Sequence, residues 1–451
     1  MSYSSRGSKP FERASKSSHH HIVNDSSVQY VLSELDFPPR EYTMDIKDRI
    51  VKYSPVKESK IKNIIAVDGG YTEANVRTGY PSSVIHFFQF GALYFKREDL
   101  QKLDLTPHIA PEDMAKLNNI HRLKLPLPTK GVRRRGTSSL LDSVRLTIHE
   151  FFSKEKLGES SSLLDTLKWF VFRRYKSFRN DSDKVCDLMS TSPYESVKGP
   201  VILNESEMNT DGTFTCASTG KILYLIDIFR LHEVIHEDSG AAGVCGYLAG
   251  VIEHLIALHI IRHLLMTSPS SLNETIFIMD RPTGLFGQVA RLHEPMKELV
   301  NWLFDNHQLY WAGLEKSGAF VEHANMIKDM LEPGSIFILG DKHIYRFISP
   351  GEESPNRPYA NTSYYGHKVI FKTPRGQMHV VSVPVRELKK EPDISDLNNL
   401  MSILTLVEEL HCDMYESALI PIALVNKLVS LSSHPSSQIL QAFAKSSISS
   451  Y

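Results

Sequence analysis

The chain predicts an α/β fold with a mixed sheet, on three observations. Residues 63–74 (NIIAVDGGYTEA) form an apolar, β-branched run that reaches an acid, Asp68, followed at once by Gly69 and Gly70. A second such run, residues 275–285 (TIFIMDRPTGL), reaches Asp280. Between them, residues 241–266 are the longest apolar-periodic segment of the chain and read as a buried helix. The succession strand, buried helix, strand is the mark of an α/β domain.

Each element follows from local pattern. Residues 64–67 and 84–95 read as strands of an antiparallel meander, with Gly79, Tyr80 and Pro81 supplying the turn between them. Residues 96–125 are mixed and charged, and a Pro, Gly and Arg loop leads into helical patterns over 140–152 and 163–175. Residues 180–220 are polar and irregular, and 222–229 (ILYLIDIF) read as a strand with Asp227 inside it. Asp238, Ser239 and Gly240 are capping candidates for the long helix. Beyond Asp280, the pattern gives a helix over 296–306, a short strand over 310–312 running into the loop 313–318, and a strand over 335–339. A hairpin over 364–371 and 379–384 follows, then helices over 397–409 and 420–431. There is no internal repeat.

At 451 residues with 41% hydrophobic content, the chain is long enough for a large buried core. A formal net charge of −1 gives no global field to steer it onto nucleic acid, so any such contact is local. No uninterrupted apolar run reaches the roughly 20 residues of a membrane span. The four cysteines are scattered without a CxxC pair or a secretory segment, which points to a reducing cytoplasm. Residues 1–45 read as a flexible tail, its first 28 or so rich in Ser and Lys, and His19 to His21 are set aside with it. The remainder, 46–451, reads as one domain carrying a divergent helical insertion at about 100–220.

The chemistry is in the acids. A strand that ends on a carboxylate and turns away through glycines presents it in a concave mouth where a hard divalent cation is held. Two-metal phosphodiester hydrolysis needs three or four such carboxylates from different elements, and Asp68, Asp280 and the helical Glu253 supply three. Glu253 lies among Val251, Ile252, Leu255 and Ile256, where a buried charge needs a cation, either a bound ion or an arginine such as Arg262.

The series IAVDGGY, the helix with Glu253, IFIMDRPTGL, WAGLEKSG, ILGDKHIY and LIPIALVN resembles the NurA nuclease family in order and character, over roughly residues 61–431. The resemblance implies an RNase H-like or Argonaute-like core, Mn²⁺ or Mg²⁺, DNA as substrate, a homodimer, and a hexameric HerA-type ATPase as partner in DNA end processing or phage defence. It implies Asp68, Glu253 and Asp280 as metal ligands and Lys316 as a phosphate contact. The family's closing tyrosine and histidine fall on Ala418 and Asn426; an amide offers an oxygen to a metal but shuttles no proton.

Other motifs compete. Residues 232–236 (HEVIH) match the zinc-protease pattern formally through His232, Glu233 and His236, with Glu253 a conceivable third ligand. Residues 131–138 (GVRRRGTS) have the glycine spacing of a P-loop but lack its lysine, so any translocation must come from a partner. Arg133, Arg134, Arg135, Arg173 and Arg174 could line a phosphate backbone, and His367 is a candidate substrate contact. Asp227 is a candidate second layer to the metal, or a ligand standing in for a missing one. A third class of reading is a non-catalytic DNA-clamping subunit, motivated by Ala418 and Asn426.

Overall fold

The computed structural model describes residues 18–35, 46–76, 80, 82–100, 122–156, 161–176, 185–194, 196–412, 418–431 and 436–449. Two compact units result. The first, Met1–Asp45, contains the helices Ser18–Val23 and Ser26–Ser33, the second capped by Asp25, whose carboxylate accepts from the Ser27 and Val28 amides. The second, Ile46–Tyr451, holds everything that follows.

Nine strands form one mixed sheet: β1 (Ile50–Lys52), β2 (Asn63–Asn75), β3 (Val84–Lys96), β4 (Arg122–Lys130), β5 (Thr275–Met279), β6 (Tyr310–Glu315), β7 (Ser335–Ile338), β8 (Gly366–Lys372) and β9 (Met378–Pro384). Their order is β1-β7-β8-β9-β6-β5-β2-β3-β4. Strands β2, β3 and β4 are an antiparallel meander; β5 runs parallel to β2, and β6 parallel to β5. Taken in chain order these five give 3-2-1-4-5, the ribonuclease H-like arrangement, and β1, β7, β8 and β9 extend it by antiparallel pairing.

The helices cover both faces. The longer ones are α1 (Leu140–Lys154), α2 (Leu163–Val171), α3 (Cys245–Thr267), α4 (His293–Asn306), α5 (Leu400–Glu409), α6 (Ile420–Val429) and α7 (Ser436–Ser449). Strand side chains alternate between faces with period two. Ile65, Val67, Phe277 and Trp311 accordingly join a core with α1 to α4, whereas Ile64, Ala66, Ile276, Ile278 and Leu314 join one with α5 and α6. Helix α3 is long and apolar enough to cross a membrane on composition, yet most of it is buried within the fold, apolar all round as a core helix is.

Several sequence expectations change. Strand β2 does not stop at Asp68 but continues through Gly69 and Gly70 to Asn75, paired with β3 throughout. The glycines serve close approach instead of a turn. A Cβ on Gly69 would collide with the Phe90 ring and come 3.0 Å from Glu253 Oε1; one on Gly70 would come 2.8 Å from the Val429 carbonyl. The 222–229 run gives a strand only over Ile222–Tyr224 and then winds into a 3₁₀ turn, because Asp227 turns back to accept from the Tyr224 amide. Asp238, Ser239 and Gly240 do not cap α3, which is entered through the 3₁₀ turn Ala242–Val244. Strand β6 extends to Glu315, past the start of the expected loop.

Strands β1 and β4 and helix α7 were not expected. In β4 the period-two burial of Leu123, Leu125 and Leu127 is present, and Pro126 and Pro128 are tolerated because β4 is the terminal strand. Of the expected turn, Gly79 and Pro81 lie outside the described residues, as do parts of the 96–125 and 180–220 segments.

Candidate active site

The parallel register pairs Val67 of β2 with Met279 of β5, so Asp68 and Asp280 are the next residues along neighbouring strands. Here β5 ends and β2 continues, leaving a notch beside β2 with one aspartate on each side of it. Asp68 is buried; its Oδ1 accepts from the Gly69 amide at 2.8 Å and its Oδ2 from Asn426 Nδ2 at 3.0 Å. Burial first, then the Asp280 charge, pushes the Asp68 carboxyl up to about 6, against the opposing pull of Asn426, Gly69 and Lys316. Asp280 accepts from Lys316 Nζ at 2.6 Å, just beyond the end of β6.

Asn426 reaches Asp68 because α6 lies against β2 and β3 at their glycines. Gly91, opposite Asp68 in the register, leaves the space that Val425 and Val429 fill. The amide stands as a donor to the aspartate. Ala418 is buried just ahead of α6, its carbonyl accepting from the Cys412 amide.

Glu253 projects from the middle of α3 and is 1% exposed. Its cationic side-chain partner is Arg281, the residue after Asp280, and not Arg262. The guanidinium forks onto both carboxylate oxygens, Nη2 donating to Oε1 at 3.0 Å and Nε to Oε2. Burial drives Glu253 up to about 7, with Arg281 pulling the other way. Burial opposes the Arg281 charge too, yet Glu253 outweighs it and holds the guanidinium above its ordinary range. Arg281 also lines a cavity of about 310 Å³ with Gly246, Tyr247, Gly250, His254 and Phe286.

The residues therefore fall into two groups. Asp68, Asp280, Lys316 and Asn426 make one, on the α6 side, and Glu253 with Arg281 makes the other, beneath α3. Asp68 senses the Asp280 charge, and Glu253 senses the charges of both aspartates. Among the described residues, however, no three His, Cys, Asp or Glu side chains converge as a metal cluster. The donor chemistry fits a divalent ion at Asp68 and Asp280, two adjoining carboxylates whose repulsion a cation relieves. It fits less well at Glu253, whose charge the Arg281 guanidinium already offsets, whereas the partners of Asp68, Asn426 and the Gly69 amide, are neutral.

The other candidates lie elsewhere. Arg145 forks onto Asp227 with both bonds at 2.7 Å, which makes Asp227 a structural counter-ion and not part of the acidic site. His367 is buried on β8, where Nε2 accepts from the Lys389 amide at 2.9 Å, and burial pushes it down to about 4. Arg173 forks onto Glu298, Arg174 bonds Glu205, and Arg134 bonds Glu150. Arg133 donates to the Ser138 carbonyl from an exposed loop that also carries Arg135.

The zinc motif fails on geometry. His232 and Glu233 occupy a 3₁₀ turn, Leu231–Val234, so no α-helical face brings His236 beneath His232. Glu233 is forked by Arg230, and His236 is exposed in a backbone bridge to Gly240.

No family model matches the sequence, and no curated protein matches it. Among solved structures the chain is similar to the NurA nuclease from Sulfolobus solfataricus, at 8% identity over 97% of this chain and 99% of that one, with a TM-score of 0.37. A structure of NurA with manganese is 12% identical over 86% and 90%, TM-score 0.28, and another of NurA 11% identical over 89% and 91%, TM-score 0.29. At these TM-scores the likeness carries no weight of its own, and the chemistry rests on the side chains above.

Proposed function

We propose that the chain is a DNA nuclease that hydrolyses phosphodiester bonds with Mn²⁺ or Mg²⁺ held by Asp68 and Asp280. The observation that carries this is the juxtaposition of two aspartates on adjoining parallel strands where β5 ends and β2 continues, one of them held up to about 6 by burial and by the other's charge. A bound ion would supply an activated water and offset charge on the phosphate oxygens. Asn426 and the Gly69 amide fix the Asp68 carboxylate. Lys316 is placed to leave Asp280 for a phosphate oxygen when DNA enters.

The order of sequence motifs supports the finer reading: a NurA-like homodimer fed with duplex by a HerA-type ATPase, in end processing or phage defence. The P-loop-like segment lacks its lysine, so movement along DNA would come from that partner. Four buried, unpaired thiols agree with a reducing cytoplasm. Of the sequence set, Arg133 and Arg135 are exposed on one loop, which suits a backbone contact, whereas Arg173 and Arg174 are in ion pairs with Glu298 and Glu205.

One observation favours a second reading, a non-catalytic DNA-clamping subunit: Arg281 and Lys316 neutralise two of the three acids, and an amide sits at Asp68. Linear DNA incubated with the protein and Mn²⁺ separates the two. Cutting that is lost with EDTA and in Asp68→Ala supports the nuclease; tight binding without cutting, even beside the ATPase, supports the clamp.

A further inference from the structure

We infer that the site takes one divalent ion per chain, not two, and that the Arg281 guanidinium is a built-in second cation dedicated to Glu253. The inference rests on the metal-dependent reading above.

The sheet itself sorts the charges. Along β2, Asp68 follows Ile64 and Ala66 toward the α5 and α6 core, and Gly69 follows Ile65 and Val67 toward α3. Glu253 arrives from α3 and meets the strand at Gly69, 3.0 Å from where a Cβ would be. Past the end of β5 the same division continues, Asp280 going to Lys316 and Arg281 to Glu253. The Glu253 group is one carboxylate and one guanidinium, whose charges cancel. The Asp68 group is two carboxylates and one ammonium, a deficit of one positive charge.

The two cations also differ in how they yield. Lys316 is a point charge on a flexible stem, held by one bond, and can swing away from Asp280. A guanidinium does not deprotonate, and Arg281 is held at two atoms of its own side chain. Its backbone is enclosed as well: a Cβ on Gly313 of β6 would strike the Arg281 carbonyl oxygen. An ion entering at Glu253 must evict this charged group; an ion entering at Asp68 and Asp280 meets one cation, Lys316, the other partners there being the neutral Asn426 and Gly69 amides.

Calorimetric titration of the full, chelator-stripped chain with Mn²⁺, with electron paramagnetic resonance to count bound ions, tests this. One ion per chain is expected. Glu253→Gln should leave its Kd within about twofold, whereas Asp68→Asn should weaken it at least about tenfold. Arg281→Gln should admit a second ion. Two ions in the wild type, with a spin-coupled signal, or a tenfold loss in Glu253→Gln, would overturn the inference while leaving the nuclease reading intact. No bound ion at millimolar Mn²⁺ would remove the metal-dependent reading and the inference together. Should Arg281→Gln not fold, as judged by circular dichroism, the Glu253→Gln titration decides alone.

Discussion

Arg281 holds Glu253 in a two-pronged ion pair under α3, while its neighbour in sequence, Asp280, turns to Lys316. One peptide step thus separates the acid that remains available for chemistry from the base that closes off the third carboxylate. The pair satisfies the costliest group in the helix, a glutamate with 1% exposure among aliphatic side chains.

Removing one partner of such a pair is worse than removing both. Arg281→Met should destabilise the fold by about 3 kcal/mol, because it leaves the Glu253 carboxylate buried without a counter-charge. The double variant Glu253→Leu/Arg281→Met should recover most of that loss, since two apolar side chains of similar volume suit the α3 core. Urea melts of the wild type, the single and the double variant check it. A double variant as unstable as the single would mean that the pair acts through geometry and not through charge.

Asp68 carries a stability cost that pH exposes. Its carboxyl is near 6 in the fold against an ordinary value of 3.8, so the folded state holds the proton more tightly. Asp68 is thus neutral at no cost below about pH 4, and its stability contribution is lost as pH rises through 6. Asp68→Asn should be more stable than the wild type by about 2 kcal/mol above pH 6.5, with the gap shrinking to nothing toward pH 4. DNA cutting should be absent in the same variant. A gap that does not change between pH 4 and 7 would show that Asp68 is not the titrating group.

The strands, the buried helix and the two adjoining aspartates were legible because period-two and all-round apolar patterns are local signals. What was not legible is what depends on neighbours. The pair Gly69–Gly70 looks like a turn from sequence alone; only the presence of Phe90, Glu253 and Val429 explains glycine inside a continuous strand. Glu253 signalled that it needs a cation, but not which one: Arg262, nine residues on and on the opposite face of the same helix, lies near Thr166, and the partner comes from the end of β5 instead. The sorting of Asp68 and Glu253 to different groups follows from β2 running on past Asp68, a pairing that no local pattern announces.

The glycines give a paired test of close approach. Gly69→Ala should cost about 2 kcal/mol, since its methyl would collide with Phe90 and crowd Glu253. Gly246→Ala, in the first turn of α3, should be neutral or stabilising by up to about 1 kcal/mol, because the nearest atom to its methyl is Tyr71 Oη at 3.9 Å and alanine favours helix. Thermal melts should show a loss for Gly69→Ala and none for Gly246→Ala. Equal losses would contradict the assigned contacts.

Lys316 divides function from stability most cleanly. Its bond to Asp280 at 2.6 Å joins partly exposed groups, so the pair contributes little to folding, within about 0.5 kcal/mol. Its placement beside the notch gives it a larger task if phosphate binds there, where a positioned cation is worth about a hundredfold in rate. Lys316→Met should therefore melt like the wild type and cut linear DNA about a hundredfold more slowly at saturating Mn²⁺. Lys316→Arg should restore part of the rate, because charge is kept although the point geometry is not. Cutting at the wild-type rate in Lys316→Met would reduce Lys316 to a counter-ion for Asp280 and move the phosphate contact elsewhere, with the unbonded edge of Arg281 beside the cavity next in line.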